Sequence, residues 1–392
     1  MQKVKTIIFG IGYKETDSKK IKYKFRQKIE EATSTIEAIK KIINSSKSIC
    51  FYPKSLHDES KENIKIFQNF YDEIETIQAI GKIGDKEYYG DYEQITAHIF
   101  LKIAYEILEN ENLEEIIIDI SRGHNIYISA LLEAIFKIGI FYYFLNLNLE
   151  RNISFKLVFS EPAIPREKIE KLEIFEKELR FQNSFKLPLE DEDINYINKL
   201  VSSVSRISNL INRKHIEDSI ILFSSIKNSL PLVSLYILKE NKEIKEETIK
   251  NIYKSFLEKL KNNDYKKIEN IKADAIINAC LLFSSFLGIK RFLAKENISF
   301  EDFSLENLEN FEKIYEKIAE IPEINKRFFK RDIEELKFIL SKLKLKNNER
   351  KKLDDIYKEN ITEQNIPKPR NTRSSDIVRN FFAHCGFERT VT

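Results

Sequence analysis

Along the first half of the chain, short runs of consecutive β-branched and aromatic residues alternate with stretches in which apolar residues return every three or four positions. Lys5-Thr6-Ile7-Ile8-Phe9-Gly10 is one such run, closed by glycine, and reads as a strand buried on both faces. Phe25, Ile29, Ala32, Ile36, Ile39 and Ile43 then follow at spacings of four and three, which predicts one amphipathic helix. Ser48 to Tyr52 is a second short strand closed by Pro53, and a helix is expected from Lys61 to Ile74. The stretch holding Gly81, Gly84 and Gly90 carries no clear pattern. Ile95, Ile99, Ile103 and Ile107 mark a further helix. Glu115 to Ile120 is a strong strand that turns through Ser121-Arg122-Gly123-His124 into a helix from Asn125. The longest apolar run, Leu131 to Leu149, contains Glu133 and Lys137. Those charges would sit at costly depths in a bilayer, so a buried helix followed by a strand over Ile140 to Leu147 is the better reading. Phe155 to Phe159 is the last strand expected.

Strands alternating with helices indicate βαβ units and a mostly parallel, twisted sheet, whose ligands bind outside the carboxyl ends of the strands. From Leu189 onward no strand is expected. Ala273, Ile276, Cys280, Phe283 and Leu287 form one helical stripe, and Ile314, Ile318, Phe328 and Leu336 lie on others. Lys342 to Arg373 is strongly polar, with Pro367 and Pro369 and a basic cluster of Lys368, Arg370 and Arg373 suited to meet RNA. It reads as a loop leading into a final short helix. No internal repeat is seen. The fold class is α/β plus all-α: a Rossmann-like parallel-sheet domain over residues 1–187 and a helical domain over 188–392.

Composition narrows the partners. With 392 residues, 42% of them hydrophobic and 32% charged, the chain reads as a soluble globular protein with a large core and two or three domains. Its 65 basic and 62 acidic residues leave a net charge of only +3, so nucleic-acid binding must come from local patches. Cys50, Cys280 and Cys385 lack disulfide or metal spacing, and no signal peptide opens the sequence. That favours a reducing cytoplasm and argues against both a membrane location and a metal site.

Three stretches carry chemistry. Gly10-Ile11-Gly12 has the first two glycines of a dinucleotide fingerprint, but Glu15 stands where the third would be. It is either a plain strand-to-helix turn or a loop that lets backbone approach a phosphate or ribose. Ser121-Arg122-Gly123-His124-Asn125 feeds a helix, so N–H groups and the positive dipole end face a potential anion, with Arg122 and His124 as further donors. Ser160-Glu161-Pro162 opens on the same rim. Near the end, Ser374, Ser375 and Asp376 supply cap chemistry for a helix bearing Arg379-Asn380-Phe381-Phe382-Ala383-His384, which stops at Gly386. Five positions are about 500° of turn and roughly 7.5 Å of rise, so Arg379 and His384 flank one stripe. An amphipathic helix can carry such a pair by chance. If functional, the arginine suits a phosphate and the histidine a proton transfer. Such a pair fits metal-free RNA cleavage through the 2′-hydroxyl and does not fit two-metal hydrolysis. Cys385 points away from His384 on a helix and is a poor nucleophile partner.

Taken in order, Gly10-Ile11-Gly12, Asp119 to Asn125, Ser160-Glu161-Pro162 and Arg379 to Phe387 resemble the CARF–HEPN ribonucleases that accompany type III CRISPR systems. The resemblance spans the chain, and the last segment is its most specific part. It implies a sensor that binds a cyclic oligoadenylate across a two-fold homodimer, or a higher homo-oligomer, with cyclic tetra-adenylate the first choice and cyclic hexa-adenylate the second. It implies a helical effector that cuts single-stranded RNA. Arg379 and His384 would be catalytic and Asn380 supporting, with His384 moving a proton at the 2′-hydroxyl and Arg379 steadying the phosphorane. The products would be a 2′,3′-cyclic phosphate and a 5′-hydroxyl. Gly10, Ile11, Gly12, Ser121, Arg122, Gly123, His124, Asn125, Ser160 and Glu161 would hold the activator. The sequence ends at Thr392, eight positions past His384, where relatives often carry a short further segment. Two other readings stay open: a non-catalytic nucleotide sensor whose helical half binds RNA or a partner, and a nicotinamide-dependent Rossmann enzyme, which the broken fingerprint disfavours.

Overall fold

The computed structural model describes residues 4–13, 20–43, 46–59, 61–83, 85–147, 151–161, 170–181, 191–202, 211–261, 272–299, 305–318, 321 and 323–342. Contacts gather the chain into two compact units, one of residues 1–183, 188–207 and 246–281, the other of 184–187, 208–245 and 282–392.

The first unit begins with β1 (Thr6–Ile11), every residue of which is buried. A hairpin follows, β2 (Ile21–Phe25) and β3 (Lys28–Ala32), then α1 (Thr35–Ile42), β4 (Ser46–Pro53), α2 (Lys54–Glu59), α3 (Lys61–Gln68) and β5 (Glu73–Ile77). A small separate hairpin, β6 (Ile80–Ile83) and β7 (Lys86–Tyr89), precedes α4 (Tyr92–Glu109), β8 (Glu115–Asp119), α5 (Asn125–Leu145), β9 (Ser154–Ser160) and β10 (Lys171–Glu178). The main sheet has the order β3-β2-β10-β9-β8-β1-β4-β5. Its run β9-β8-β1-β4-β5 is parallel throughout. From β1 the chain moves out to β4 and β5 on one side, then returns to β8 and β9 on the other. The crevice between the ends of β1 and β8 is therefore the topological switch point. On one face Ile8 packs with Tyr23, Ile36, Ile39, Tyr52 and Phe67.

Three expectations are corrected. The periodic set from Phe25 to Ile43 is a hairpin and a short helix, not one helix. Between 21 and 25 the buried residues Ile21, Tyr23 and Phe25 alternate with exposed or half-exposed lysines, the period of a strand. Arg26 and Gln27 turn the chain with φ of 46° and 66°, the left-handed pair of a two-residue hairpin loop. Ile29, one of the six, is 52% exposed. The helix begins only at Thr35, where Ser34 caps it by accepting the Glu37 N–H at 3.2 Å. The helix expected from Lys61 to Ile74 ends at Gln68, and Ile74 lies on β5. The strand expected over Ile140 to Leu147 is the last part of α5, which keeps its backbone bonds until the Asn146 N–H closes on the Tyr142 carbonyl. Neither β6–β7 nor β10 has a counterpart among the expected strands.

Later segments complete this unit. After α6 (Asp191–Ser202) and an excursion through α7 (Arg213–Lys227) and α8 (Pro231–Glu240), α9 (Glu246–Lys261) packs on α4. Tyr253 meets Phe141 with ring centroids 6.0 Å apart. Lys261 Nζ lies 2.8 Å from Glu75, whose other oxygen meets His98 Nε2 at 2.7 Å, with Glu75 and His98 both buried. At the start of α10 (Ala273–Lys295), Asp274 pairs with Lys137 at 2.9 Å.

The described part of the second unit is helical, in line with the expected all-α half. The α7–α8 pair is tied by Ser225 and Ser234 hydroxyls 2.7 Å apart and by Asn241 donating to Asp218 at 2.9 Å. In α11 (Leu305–Lys317) and α12 (Glu323–Lys342), Tyr315 meets Phe329 edge to face at 5.2 Å. Among the described residues α5 and α10 are long and apolar enough to cross a membrane, with mean hydropathy of 1.7 and 1.5. Within α5 the charges that argued against a span form an ion pair, Glu133 with Lys137 at 3.1 Å.

Candidate functional site

β1 delivers Gly10 and Ile11 to the crevice, and the ladder to β4 continues one residue further, with the Gly12 N–H donating to the Phe51 carbonyl at 2.8 Å. A Cβ on Gly12 would stand 2.5 Å from the ring of Tyr52, which is fully buried. Gly12 therefore has a packing reason of its own, because β4 side chains close over the strand end, and Gly10 has another, since a Cβ there would stand 2.8 Å from the Tyr71 hydroxyl.

The β8 turn is built by Asp119 and Ser121. The Ser121 N–H donates to Asp119 Oδ1 at 2.9 Å, and the Ser121 hydroxyl accepts the Ser160 N–H at 3.0 Å, which draws the end of β9 against the turn. Gly123 has φ of +127°, and a Cβ there would meet Ile11 Cγ2 at 2.9 Å. The two loops thus interlock, Gly123 lying directly on Ile11. Arg122 holds its guanidinium 4.9 Å from the ring centroid of Tyr13 and donates to the Tyr23 hydroxyl at 3.4 Å. It joins the β1 loop, the β8 turn and β2 in one cluster.

His124 is the N-cap residue of α5 and makes no side-chain cap bond. It and Asn125 are exposed, so the first turn of a 21-residue helix opens on the rim with its dipole directed at incoming negative charge. Glu161 belongs elsewhere: its carboxylate accepts the Glu173 N–H at 3.0 Å and its own N–H donates to the Glu173 carbonyl. It is anchored to β10. The structure thus brings together Gly10 to Gly12, Ser121 to Asn125 and Ser160, and turns Glu161 to a neighbouring strand.

Tyr13, Thr35, Tyr71, Asp119 and Arg122 line a narrow cleft beside these loops. It encloses about 10 Å³, room for about one water-sized group. Burial of Asp119 pushes its carboxyl up to about 6, while the hydrogen bonds from Ser121 work the other way. A larger cavity, about 510 Å³, lies at the other end of β9, among Tyr142, Asn146, Arg151, Phe155, Glu178 and Phe181, away from the interlocked loops. The cleft residues Tyr13, Thr35 and Tyr71, and Tyr23 to which Arg122 donates, had no place among the sequence candidates. One signal pointed to Thr35: Ser34-x-x-Glu37 is a helix-start signature. Arg379, Asn380, His384, Lys368, Arg370 and Arg373 lie outside the described residues.

The arrangement offers backbone donors, a helix N-terminus, an arginine and an exposed histidine around a crevice, which suits a phosphate-bearing ligand. Two family models match the chain. Residues 7–162 match the model described as CRISPR system endoribonuclease Csx1, CARF domain, and residues 322–392 match CRISPR system endoribonuclease Csx1, HEPN domain. The first range contains every candidate position from Gly10 to Glu161, and the second contains Arg379 to His384. No curated protein matches the chain. With both domain models matched in order over more than half of its length, this chain belongs to the CARF–HEPN ancillary endoribonucleases of CRISPR systems.

Proposed function

We propose that the protein is a cytoplasmic, metal-independent endoribonuclease of type III CRISPR defence, switched on by a cyclic oligoadenylate. The observation that carries this reading is the interlock of the Gly10–Gly12 and Ser121–Asn125 loops at the switch point of the sheet, inside the residues matched by the CARF model. Such a crevice presents N–H donors and positive charge to a ligand whose phosphates repeat around a ring. Residues 1–187 form the sensor part of the sequence and 188–392 the effector part. A homodimer presents two crevices to one symmetric ring. Cyclic tetra-adenylate is the first activator to try and cyclic hexa-adenylate the second.

In the effector, Arg379-x-x-x-x-His384 falls inside the matched HEPN range. His384 moves the proton at the 2′-hydroxyl of single-stranded RNA, Arg379 stabilises charge developing on the phosphorane, and Asn380 supports them. Lys368, Arg370 and Arg373 hold the substrate backbone. The bond from phosphorus to the 5′-oxygen breaks as the 2′-oxygen attacks, which leaves a 2′,3′-cyclic phosphate and a 5′-hydroxyl.

Fluorescent single-stranded RNA is incubated with the full chain in EDTA, with and without each cyclic oligoadenylate. Ligand-stimulated cleavage is expected, and either no stimulation or a requirement for a divalent ion refutes the reading. Arg379→Ala and His384→Ala are each expected to lower stimulated cleavage at least a hundredfold while ligand affinity stays within twofold. Retained turnover in either variant removes the assigned residues.

A further inference from the structure

In the cleft beside the interlocked loops, the Thr35 hydroxyl has no hydrogen-bond partner among the described residues, and Thr35 is 1% exposed. Burying a hydroxyl in this state carries a free-energy cost that evolution rarely leaves in place without a use. Its neighbours are already engaged. Ser34 accepts the Glu37 N–H, and the Glu37 carboxylate folds back on Thr33 and pairs with Lys41. Thr35 is the first residue of α1, an eight-residue helix whose opening turn presents N–H groups and the positive dipole end. Arg122 lines the same cleft from the β8 turn. The Asp119 carboxyl, also on its wall, is bound by the Ser121 N–H.

Resting on the reading that these loops hold a cyclic oligoadenylate, we infer that Thr35 and the first turn of α1 form, opposite Arg122, the seat for one phosphate oxygen of the activator. Thr35, the first turn of α1 and Arg122 line a space of about 10 Å³. That space admits an oxygen and excludes a ribose or a base. The seat lies on a helix that the glycine loops do not include, so it fixes where along the ring the phosphates come to rest.

The test uses the full chain with cyclic tetra-adenylate and cyclic hexa-adenylate as probes, measuring affinity and, separately, the melting temperature without ligand. Thr35→Val keeps the shape and removes the hydroxyl. Affinity is expected to fall about tenfold, as for a hydrogen bond to a charged group, while the unliganded protein melts at the wild-type temperature or above it, because an unsatisfied buried hydroxyl has gone. Thr35→Ser is expected to bind within threefold of wild type. Affinity of Thr35→Val within twofold of wild type overturns the seat. So does a fall in both affinity and melting temperature, which marks a merely structural threonine, and so does a serine variant as weak as the valine one. Sulfur in place of a non-bridging phosphate oxygen is too large for the seat. It is expected to weaken binding of one diastereomer to wild type and to leave Thr35→Val indifferent, whereas equal sensitivity in both overturns the assignment to phosphate. A wild-type chain that binds neither ring refutes the sensor reading itself and the seat with it.

Discussion

Substituting Gly123 by alanine tests the interlock that the whole ligand site depends on. At φ of +127° an L side chain is strained, and the new Cβ would lie 2.9 Å from Ile11 Cγ2 and 3.0 Å from Ile11 Cβ. Ile11 is 2% exposed, so it has nowhere to swing. Backbone strain of this kind costs about 1–3 kcal/mol, and overpacking a closed site costs roughly another 1–3 kcal/mol. For a unit of this size each kcal/mol lowers the melting temperature by about 2–4 °C, so a fall of roughly 4–24 °C is expected. Gly81→Ala is the control, because φ there is +96° but none of the described residues lies within 4 Å of the added Cβ. It bears the strain without the clash. Thermal melts of both variants, followed by circular dichroism, separate the two contributions. A Gly123→Ala protein melting within about 2 °C of wild type, or a Gly81→Ala loss as large, refutes the claim that the β8 turn rests on Ile11.

Two further outcomes can be checked with the same preparations. Burial raises the Asp119 carboxyl from the ordinary carboxylate range to about 6, so the folded state binds a proton more tightly than the unfolded chain. The resulting penalty is absent below about pH 4, grows as pH rises to about 6 and is complete above it, reaching on the order of 3 kcal/mol. Asp119→Asn, which keeps an oxygen for the Ser121 N–H, is therefore expected to raise the melting temperature at pH 8 and to raise it much less at pH 4.5, where only about a third of the penalty has developed; equal gains at both values refute this account. Arg122→Lys retains the charge but loses the planar group over Tyr13 and the bond to Tyr23. It is expected to weaken cyclic oligoadenylate binding about tenfold with little change in melting temperature, and unchanged affinity would show that charge alone suffices.

The centre of the sheet was legible in the sequence because its middle strands are buried on both faces and announce themselves as unbroken apolar runs. Ile7 to Phe9 and Ile116 to Ile118 needed no partner to be recognised. The turn from Ser121 to Asn125 was legible for a similar reason, since strand end, glycine and helix start are all local signals. The β2–β3 hairpin was not, because Phe25, Ile29, Ala32 and Ile36 satisfy a helical spacing by coincidence. What decides their state is pairing of β2 with β10, where Lys22 lies opposite Lys171. The residues missed around the site share this property. Tyr13, Tyr23 and Thr35 acquire their roles from segments brought together only by folding; the Ser34-x-x-Glu37 signature announces a helix start at Thr35 but not its place in the cleft. Asp119 stood within the motif, but its raised proton affinity comes from burial, which sequence spacing does not show.

The late return of α9 and the start of α10 to the first unit has a consequence for synthesis. That unit is not complete when residue 183 has been added; it waits until residue 281. At ordinary elongation rates the interval is roughly 5–20 s. Until the last of that stretch is added, Glu75 has His98 but waits for Lys261, Lys137 waits for Asp274, and Phe141 waits for Tyr253. The nascent first unit therefore spends seconds as an unfinished body with an uncovered helix face, the state in which a chain most needs a chaperone. Ending the coding sequence at residue 187 makes that state permanent, and aggregation of such a fragment is its expected signature.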